Sequence, residues 1–472
     1  MINFPRSIPV LLFPVILLVS ISARTDEIDK YITAEMKKRQ IPGLALAVVR
    51  HGKVIKLKSY GLANIQHNVA ATPDTVFDTA SVTKPFTATA IMMLVEEGKI
   101  GLDDKISRYI PNASETWRDI SVRHLLSHTA GLKAEFMPTL KGRWLTDYTT
   151  AEMFEAAAKL PLDSAPGDRY RYSDTGYFLL GLIIEKASGK RYGEFLAERM
   201  FKPLGMTSTT LLDQWAIIKN FTPGYAMSDG QLVHNRRYSQ VELAPSYGIL
   251  STASDFAKWV VALNLGRLVS QPTREEMWSP VKLNNGLDNN YGLGWNLDEI
   301  RGHRVVEHAG GTGTIIFHLP EDKLSVIVLT NLALGSSNNP RGIAHATAAQ
   351  YIPRLRFRTI VPQPDPDPSM TEKIKNLLHQ IADGVAKPEL LVSSISEDRR
   401  LSTRFWVEGL NSFTFLACDD RSTQNVGRLG VRVNRVCYYR QTSATDTRYY
   451  RFYLTSDSKV ADFWSHTESA TR

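Results

Sequence analysis

Cysteine is almost missing from this chain: Cys418 and Cys437 are the two it has in 472 residues, both close to the C-terminus. Two cysteines cannot be the framework of the fold, and with none near the N-terminus a lipoprotein anchor has no attachment point. In an oxidising compartment they could pair if their strands are neighbours. A marked excess of one charge is missing too. The 56 Lys and Arg against 48 Asp and Glu leave +8 over the whole chain. The basic clusters Lys37-Lys38-Arg39, Arg236-Arg237 and Arg399-Arg400 are short and scattered, which argues against a nucleic-acid partner. No internal repeat is present. With 43% hydrophobic and 22% charged residues, the composition also excludes wholesale disorder and fibrous architectures.

No uninterrupted hydrophobic run reaches the roughly 20 residues that a spanning helix needs. An uncharged run near the N-terminus, residues 8–21, is broken by Pro9 and Pro14, follows Arg6 and meets small residues at Ser22 and Ala23. That is the layout of a secretory signal peptide, assigned to residues 1–23, and it implies export to a periplasm or to the exterior. An uncleaved N-terminal anchor is the alternative.

From there the chain divides. Residues 24–358 read as one large domain and 359–370 as a linker, with four prolines in Val361-Pro-Gln-Pro-Asp-Pro-Asp-Pro368. Residues 371–472 read as a small C-terminal module. Ile28, Tyr31, Ile32 and Met36 at helical spacing predict a helix over 26–40. Residues 44–49 and 54–60 predict a hairpin around His51-Gly52. A mainly helical middle spans 83–250, and strands return at 291–295, 304–308, 314–319 and 324–330, with a helix-like stretch over 341–355. The fold class is α+β: an antiparallel sheet flanked by helices, with first and last strands from distant sequence and an all-helical insert between them. The C-terminal module predicts a helix over 370–382 and strands at 412–417, 430–439 and 448–455, a small α+β unit of cystatin-like type. The alternation of its aromatics Tyr438, Tyr439, Tyr449, Tyr450, Phe452, Phe463 and Trp464 suits a sheet core better than a ligand groove.

Three short segments carry chemistry. In Ser81-Val82-Thr83-Lys84, just ahead of a helical run, serine and lysine lie one turn apart on one face. A serine hydroxyl needs such a neighbour to become a nucleophile, and the positive helix end favours developing anions. Pro85 is tolerated so close to a helix start. In residues 166–174, PGDRYRYSD, Tyr172 stands in a turn-rich loop before a helix at 176–186. In residues 307–313, EHAGGTG, glycines between two strands let a substrate lie against backbone whose N–H groups can hold an oxyanion. Each segment also has an ordinary structural use: a capping serine, a packing tyrosine, a glycine bulge. His124 and His128 are spaced for metal ligation on a helix, but Leu125 stands where HExxH has glutamate, so that pair reads as structural. Gly311-Thr312-Gly313 lacks the third glycine of a dinucleotide fingerprint, and no nicotinamide cofactor follows.

The order SVTK, RHLLSHTAGL, PGDRYRYSD, APSYGILSTASDFAKW and HAGG resembles the serine β-lactamase and penicillin-binding-protein superfamily. More narrowly, it is similar to the class C β-lactamase-related branch, which includes esterases and D-amino-acid peptidases. The likeness runs from about residue 26 to 355. It implies Ser81 as nucleophile, Lys84 as the amine that takes or steers its proton, and Tyr172 sharing general-base work as a phenolate favoured by Lys84. It also implies an oxyanion hole from the Ser81 and Gly311 N–H groups, with Gly310 beside it, and no metal or cofactor. Two positions depart from the family. Asp174 replaces the asparagine of the Y-x-N motif, which puts recognition of a substrate amide in doubt, because a carboxylate only accepts. His308, counted with the catalytic set, replaces the lysine that faces a substrate carboxylate, so that charge titrates near neutrality. The expectation is therefore an exported serine hydrolase acting on small ester, amide or peptide substrates, more esterase or D-peptidase than β-lactamase, with cell-envelope association and oligomeric state left open. The alternative is a non-catalytic sensor or binding protein whose C-terminal module determines the partner.

Overall fold

The computed structural model describes residues 16–134, 148–213, 215–235, 244–334, 337–383, 389–392, 412–421, 431–443 and 447–468. Arg236-Arg237, Arg399-Arg400 and residues 1–15 of the signal-peptide assignment lie outside them. Helix α1 (Ile16–Arg39) starts earlier than the hydrophobic spacing predicts and ends where Gln40 turns left-handed ahead of Pro42. No helix among the described residues is long and apolar enough to cross a membrane.

The expected hairpin forms from β1 (Gly43–Arg50) and β2 (Lys53–Asn64), followed by the short β3 (Val69–Ala70). The helical middle supplies α2 (Thr83–Glu96), α3 (Asp174–Ser188) and α4 (Ala253–Asn264). Four strands then return: β4 (Asn296–Ile300), β5 (His303–Gly310), β6 (Thr314–Leu319) and β7 (Leu324–Thr330). They close one antiparallel sheet in the order β4-β5-β6-β7-β1-β2-β3. The distant ends of the domain meet here, with Ala47 of β1 facing Ile327 on one side and Leu57 on the other.

β1 is an unbroken apolar run because both faces of the sheet are covered. Ala45, Ala47 and Val49 join the core under the helical middle with Phe86 of α2 and Trp259 of α4. Leu44, Leu46 and Val48 join a second core with Ile28 and Ile32 of α1 and Ile343 of α5 (Pro340–Tyr351). Each leucine, isoleucine or valine among them stabilises the fold by about 1.5–3 kcal/mol relative to exposure.

One predicted strand is absent. Tyr291, Leu293 and Trp295 are fully buried, but their alternation belongs to a loop pressed against α2. The Leu293 N–H bonds to Met277 O and the Gly294 N–H to Leu126 O, outside any ladder. Gly294, at φ +86, has no room for a Cβ beside Ala88.

The proline stretch is extended as far as Asp367, which caps α6 (Pro368–Ala382). A meander of β8 (Phe413–Asp420), β9 (Val433–Thr442), β10 (Thr447–Thr455) and β11 (Val460–Thr467) follows, its last strand not foreseen. α6 covers one face through Ile374, Leu377 and Leu378 against Tyr439, Tyr450 and Phe452. The other face, with Leu416, Val436, Tyr438 and Tyr449, packs into the α1–α5 core of the large domain. Cys418 and Cys437 face each other on β8 and β9 and are bonded.

Ion pairs fasten the two sheets together. Asp298 on β4 accepts from Arg451 of β10 at 2.9 Å, Arg341 of α5 at 2.8 Å and the Tyr453 hydroxyl at 2.9 Å. Arg341 also reaches Glu307 on β5, and Arg421 pairs with Glu299. Burial works against the Asp298 carboxylate, but the two guanidiniums win and hold its pKa at about 2. A folded-state pKa below the unfolded one gives stability that is complete above about pH 4 and is lost as pH falls through about 2. Asp298→Asn is therefore expected to cost about 2–4 kcal/mol at pH 7. It should also flatten the loss of stability below pH 4, as measured by denaturant unfolding of both proteins across pH.

Candidate active site

Ser81 sits in a single 3-10 turn, Ala80–Val82, that runs straight into α2. The residues before it are gripped from two sides. The Thr79 hydroxyl donates to Ile249 O at 2.8 Å, and the Ile249 N–H donates to the Thr83 hydroxyl at 2.9 Å. From the β5–β6 turn, Thr312 donates to Asp78 O at 2.6 Å and Thr314 to Thr79 O at 2.9 Å. Between these clamps Ala80 is held at φ +44, an uncommon conformation for a residue with a Cβ. The turn thus sets Ser81, partly exposed, at the positive end of α2. Pro85 falls in the first helical turn, where the missing N–H has no intrahelical use.

Lys84, one turn on, is wholly buried. Its ammonium donates to Ser81 Oγ at 3.3 Å, Asp174 Oδ1 at 2.7 Å and Ser246 O at 3.1 Å. Burial lowers its pKa, partly offset by the charge and hydrogen bond of Asp174. Asp174 is brought there as the first residue of α3, capped by Ser173. Its Oδ1 also accepts from the Ser246 hydroxyl. Close packing makes this possible: a Cβ on Gly181 of α3 would sit 2.3 Å from Pro245 Cγ, so glycine there lets the Ser246 segment reach Asp174.

Tyr172 precedes α3, and its phenol interacts with Ser81. The Lys84 ammonium lies 4.5 Å from the centre of its ring. The sequence reading expected Lys84 to favour the phenolate, and the structure corrects this. Burial, and then the negative charge of Asp174, push the phenol well above its ordinary value, so Tyr172 rests protonated. The cation that was to stabilise the phenolate is already paired.

His308 is buried on β5. Its Nε2 meets the Tyr291 hydroxyl at 2.9 Å and its Nδ1 meets Ala309 O at 3.0 Å. Its ring lies 6.4 Å from that of Tyr172. Gly310 is needed where it stands, because a Cβ would be 2.2 Å from Thr79 O. Gly311, beyond the strand, is exposed with open space around it. Ser81, Lys84, Tyr172 and Asp174 thus converge, with His308 and the glycine turn along one side. The two histidines of the discarded metal motif serve separately. His124 accepts from the Ser121 N–H, while His128 accepts from the Ser173 N–H and packs against Tyr172 at 4.3 Å between ring centres.

Two participants were not singled out from the sequence. Ser246 lies within the APSYGIL segment, but nothing local distinguishes its hydroxyl. Tyr291 lies in the alternation misread as a strand.

A model of the family described as Beta-lactamase matches residues 28–350. Protein flp of Staphylococcus aureus strain N315 is 28% identical over 351 residues, covering 71% of this chain and 68% of its own length. Penicillin-binding protein 4* of Bacillus subtilis strain 168 is 29% identical over 321 residues, covering 62% of this chain and 69% of its own length. Among solved structures, the octameric penicillin-binding protein homologue from Pyrococcus abyssi superposes with a TM-score of 0.62 at 24% identity over 93% of this chain and 95% of that one. EstCE1, a hydrolase with promiscuous acyltransferase activity, gives 0.61 at 21% over 71% of this chain and 99% of that one. These two support the fold alone. With the family model matched across the whole domain that carries Ser81, Lys84 and Tyr172, the chain belongs to the Beta-lactamase family.

Proposed function

We propose that the protein is an exported serine hydrolase that cleaves esters and amides through an acyl-enzyme on Ser81. The observation that carries this reading is the placement of Ser81 Oγ 3.3 Å from a buried amine, Lys84, which itself lies against the Tyr172 ring. The family membership and the names of relatives such as Penicillin-binding protein 4* support it. Export rests on the N-terminal sequence, and the Cys418–Cys437 bond fits an oxidising compartment.

The geometry supports the following proton movements. Lys84 passes its third proton to Asp174, 2.7 Å away, and as a neutral amine receives the Ser81 proton while Oγ attacks the carbonyl. Tyr172, protonated at rest, gives its proton to the leaving group, and its phenolate is then stabilised by the adjacent Lys84 ammonium. In deacylation, water gives a proton to the Tyr172 phenolate and its oxygen attacks the acyl carbon. Lys84 returns a proton to Ser81, and the other proton moves from Asp174 back to Lys84. The Ser81 and Gly311 N–H groups are the proposed oxyanion donors.

A fluorophosphonate is expected to add to Ser81, seen as a mass adduct on the corresponding peptide. Ser81→Ala should abolish the adduct and lower kcat/KM for a short p-nitrophenyl ester by about a thousandfold or more. Equal hydrolysis by the alanine variant would sink the reading.

Asp174→Asn tests the role of Lys84. Asp174 raises the Lys84 pKa, so its removal makes the neutral amine accessible at lower pH. The acid limb of the kcat/KM profile should move to lower pH. A shift of the alkaline limb alone would assign the work to the ammonium form instead.

A further inference from the structure

Ser246 hydrogen-bonds both members of the Lys84–Asp174 pair, through different groups. Its carbonyl oxygen accepts from the Lys84 ammonium at 3.1 Å. Its hydroxyl donates to Asp174 Oδ1, the same oxygen that receives the Lys84 ammonium at 2.7 Å. The three residues close a ring around one shared proton.

The turn that carries Ser246 is fixed to the helix that carries the amine. Ser246 is wholly buried, in a single helical turn, Ala244–Tyr247. On one side the Thr87 hydroxyl, three residues beyond Lys84 on α2, donates to Pro245 O at 2.6 Å. On the other, the Gly248 N–H donates to Ala244 O at 2.9 Å, and the Ile249 N–H donates to the Thr83 hydroxyl. The chain closes so tightly here that a Cβ on Gly248 would sit 2.5 Å from Ala244 Cα. Both polar groups of Ser246 are thereby held on the pair.

The shared proton has two seats. On nitrogen it leaves an ammonium and a carboxylate; on oxygen it leaves an amine and a carboxylic acid. Burial of Lys84 favours the uncharged arrangement. Both bonds of Ser246 favour the charged one, because a hydroxyl donates more strongly to a carboxylate than to an acid, and a carbonyl accepts more strongly from an ammonium than from an amine. The uncharged arrangement lets Lys84 take the Ser81 proton, and return to the charged one restores the resting site.

We infer that Ser246 is a positioning residue that sets the division of this proton between Lys84 and Asp174, and with it the balance between acylation of Ser81 and release of the acyl group. This deepens the acyl-enzyme reading and rests on it. In the forward transfer one N–H bond of Lys84 breaks and one O–H bond forms on Asp174; in recovery the same proton returns. Without the Ser246 hydroxyl the pair tips towards amine and acid, which favours the first step and hinders the second.

The test mixes the full-length protein with p-nitrophenyl acetate under single-turnover conditions at one pH. Quenched samples are read by mass for the growth and decay of the acetyl group on Ser81. Ser246→Ala is expected to raise the ratio of acylation rate to deacylation rate by about tenfold or more, the worth of one hydrogen bond to a charged group. Ser246→Cys keeps the shape with a weaker donor and should raise the ratio less. In the Asp174→Asn background the Lys84 proton has no carboxylate to move to, so adding Ser246→Ala should leave the ratio unchanged within about twofold.

A ratio that Ser246→Ala leaves unchanged would overturn the inference. So would an equal rise in both backgrounds, which would show the serine acting by packing rather than through Asp174. If neither the ester nor a fluorophosphonate modifies Ser81, the hydrolase reading fails instead, so the two failures are told apart.

Discussion

A lysine taken wholly out of water must find an acceptor for each ammonium proton, or burial drives it to the neutral form. Lys84 finds three, and each comes from a different part of the chain: Ser81 one turn back, Asp174 at the start of α3, and the carbonyl of Ser246 beyond the rest of the helical middle. The central helix, the α3 N-terminus and the APSYGIL segment can meet around that amine in few ways. Gly181 and the clamp of Ile249 on Thr79 and Thr83 read as the packing that this meeting requires. A charge balanced so closely is also easily shifted, and this is what makes one buried pair both a structural tie and a proton store.

Local chemistry was readable in the sequence. Ser81 and Lys84 lie three residues apart, and the turn-forming residues around Tyr172 and the glycines after His308 announce themselves in single segments. The partners across the fold were not. Asp174 could be read as a departure from a motif, but its pairing with Lys84, ninety residues away, depends on two helices touching, and no spacing records that. The phenolate assignment for Tyr172 failed because it counted one charge near the ring and missed first the burial of the phenol and then the opposite charge of Asp174. Tyr291 was hidden differently: a two-residue alternation of large side chains marks burial on alternate sides, which a loop lying against a helix produces as readily as a strand.

In the C-terminal module, aromatic alternation identified a sheet but not the fact that both of its faces are covered. Tyr439 and Tyr450 face α6, and Tyr438 and Tyr449 face the large domain, so both alternating sets of aromatics have a buried use. The fourth strand escaped notice because Val460–Thr467 mixes Asp462, Ser465 and His466 into its apolar pattern. The cysteine pairing was visible as a possibility, and the register that places Cys418 opposite Cys437 made it real.

β4 is an outermost strand of the large sheet, and such an edge presents unpaired backbone groups to any passing chain. In this protein Arg451 and Arg421 both bond the Glu299 carbonyl of that strand, while the apolar side of the small sheet lies on the α1–α5 core. The appendage is therefore not cargo on a tether. A chain ended at the proline stretch would keep every side chain of the Ser81 cleft described above, yet expose a raw sheet edge and a broad greasy surface to its neighbours. The C-terminal module is the cover that this edge and this surface have in the folded chain.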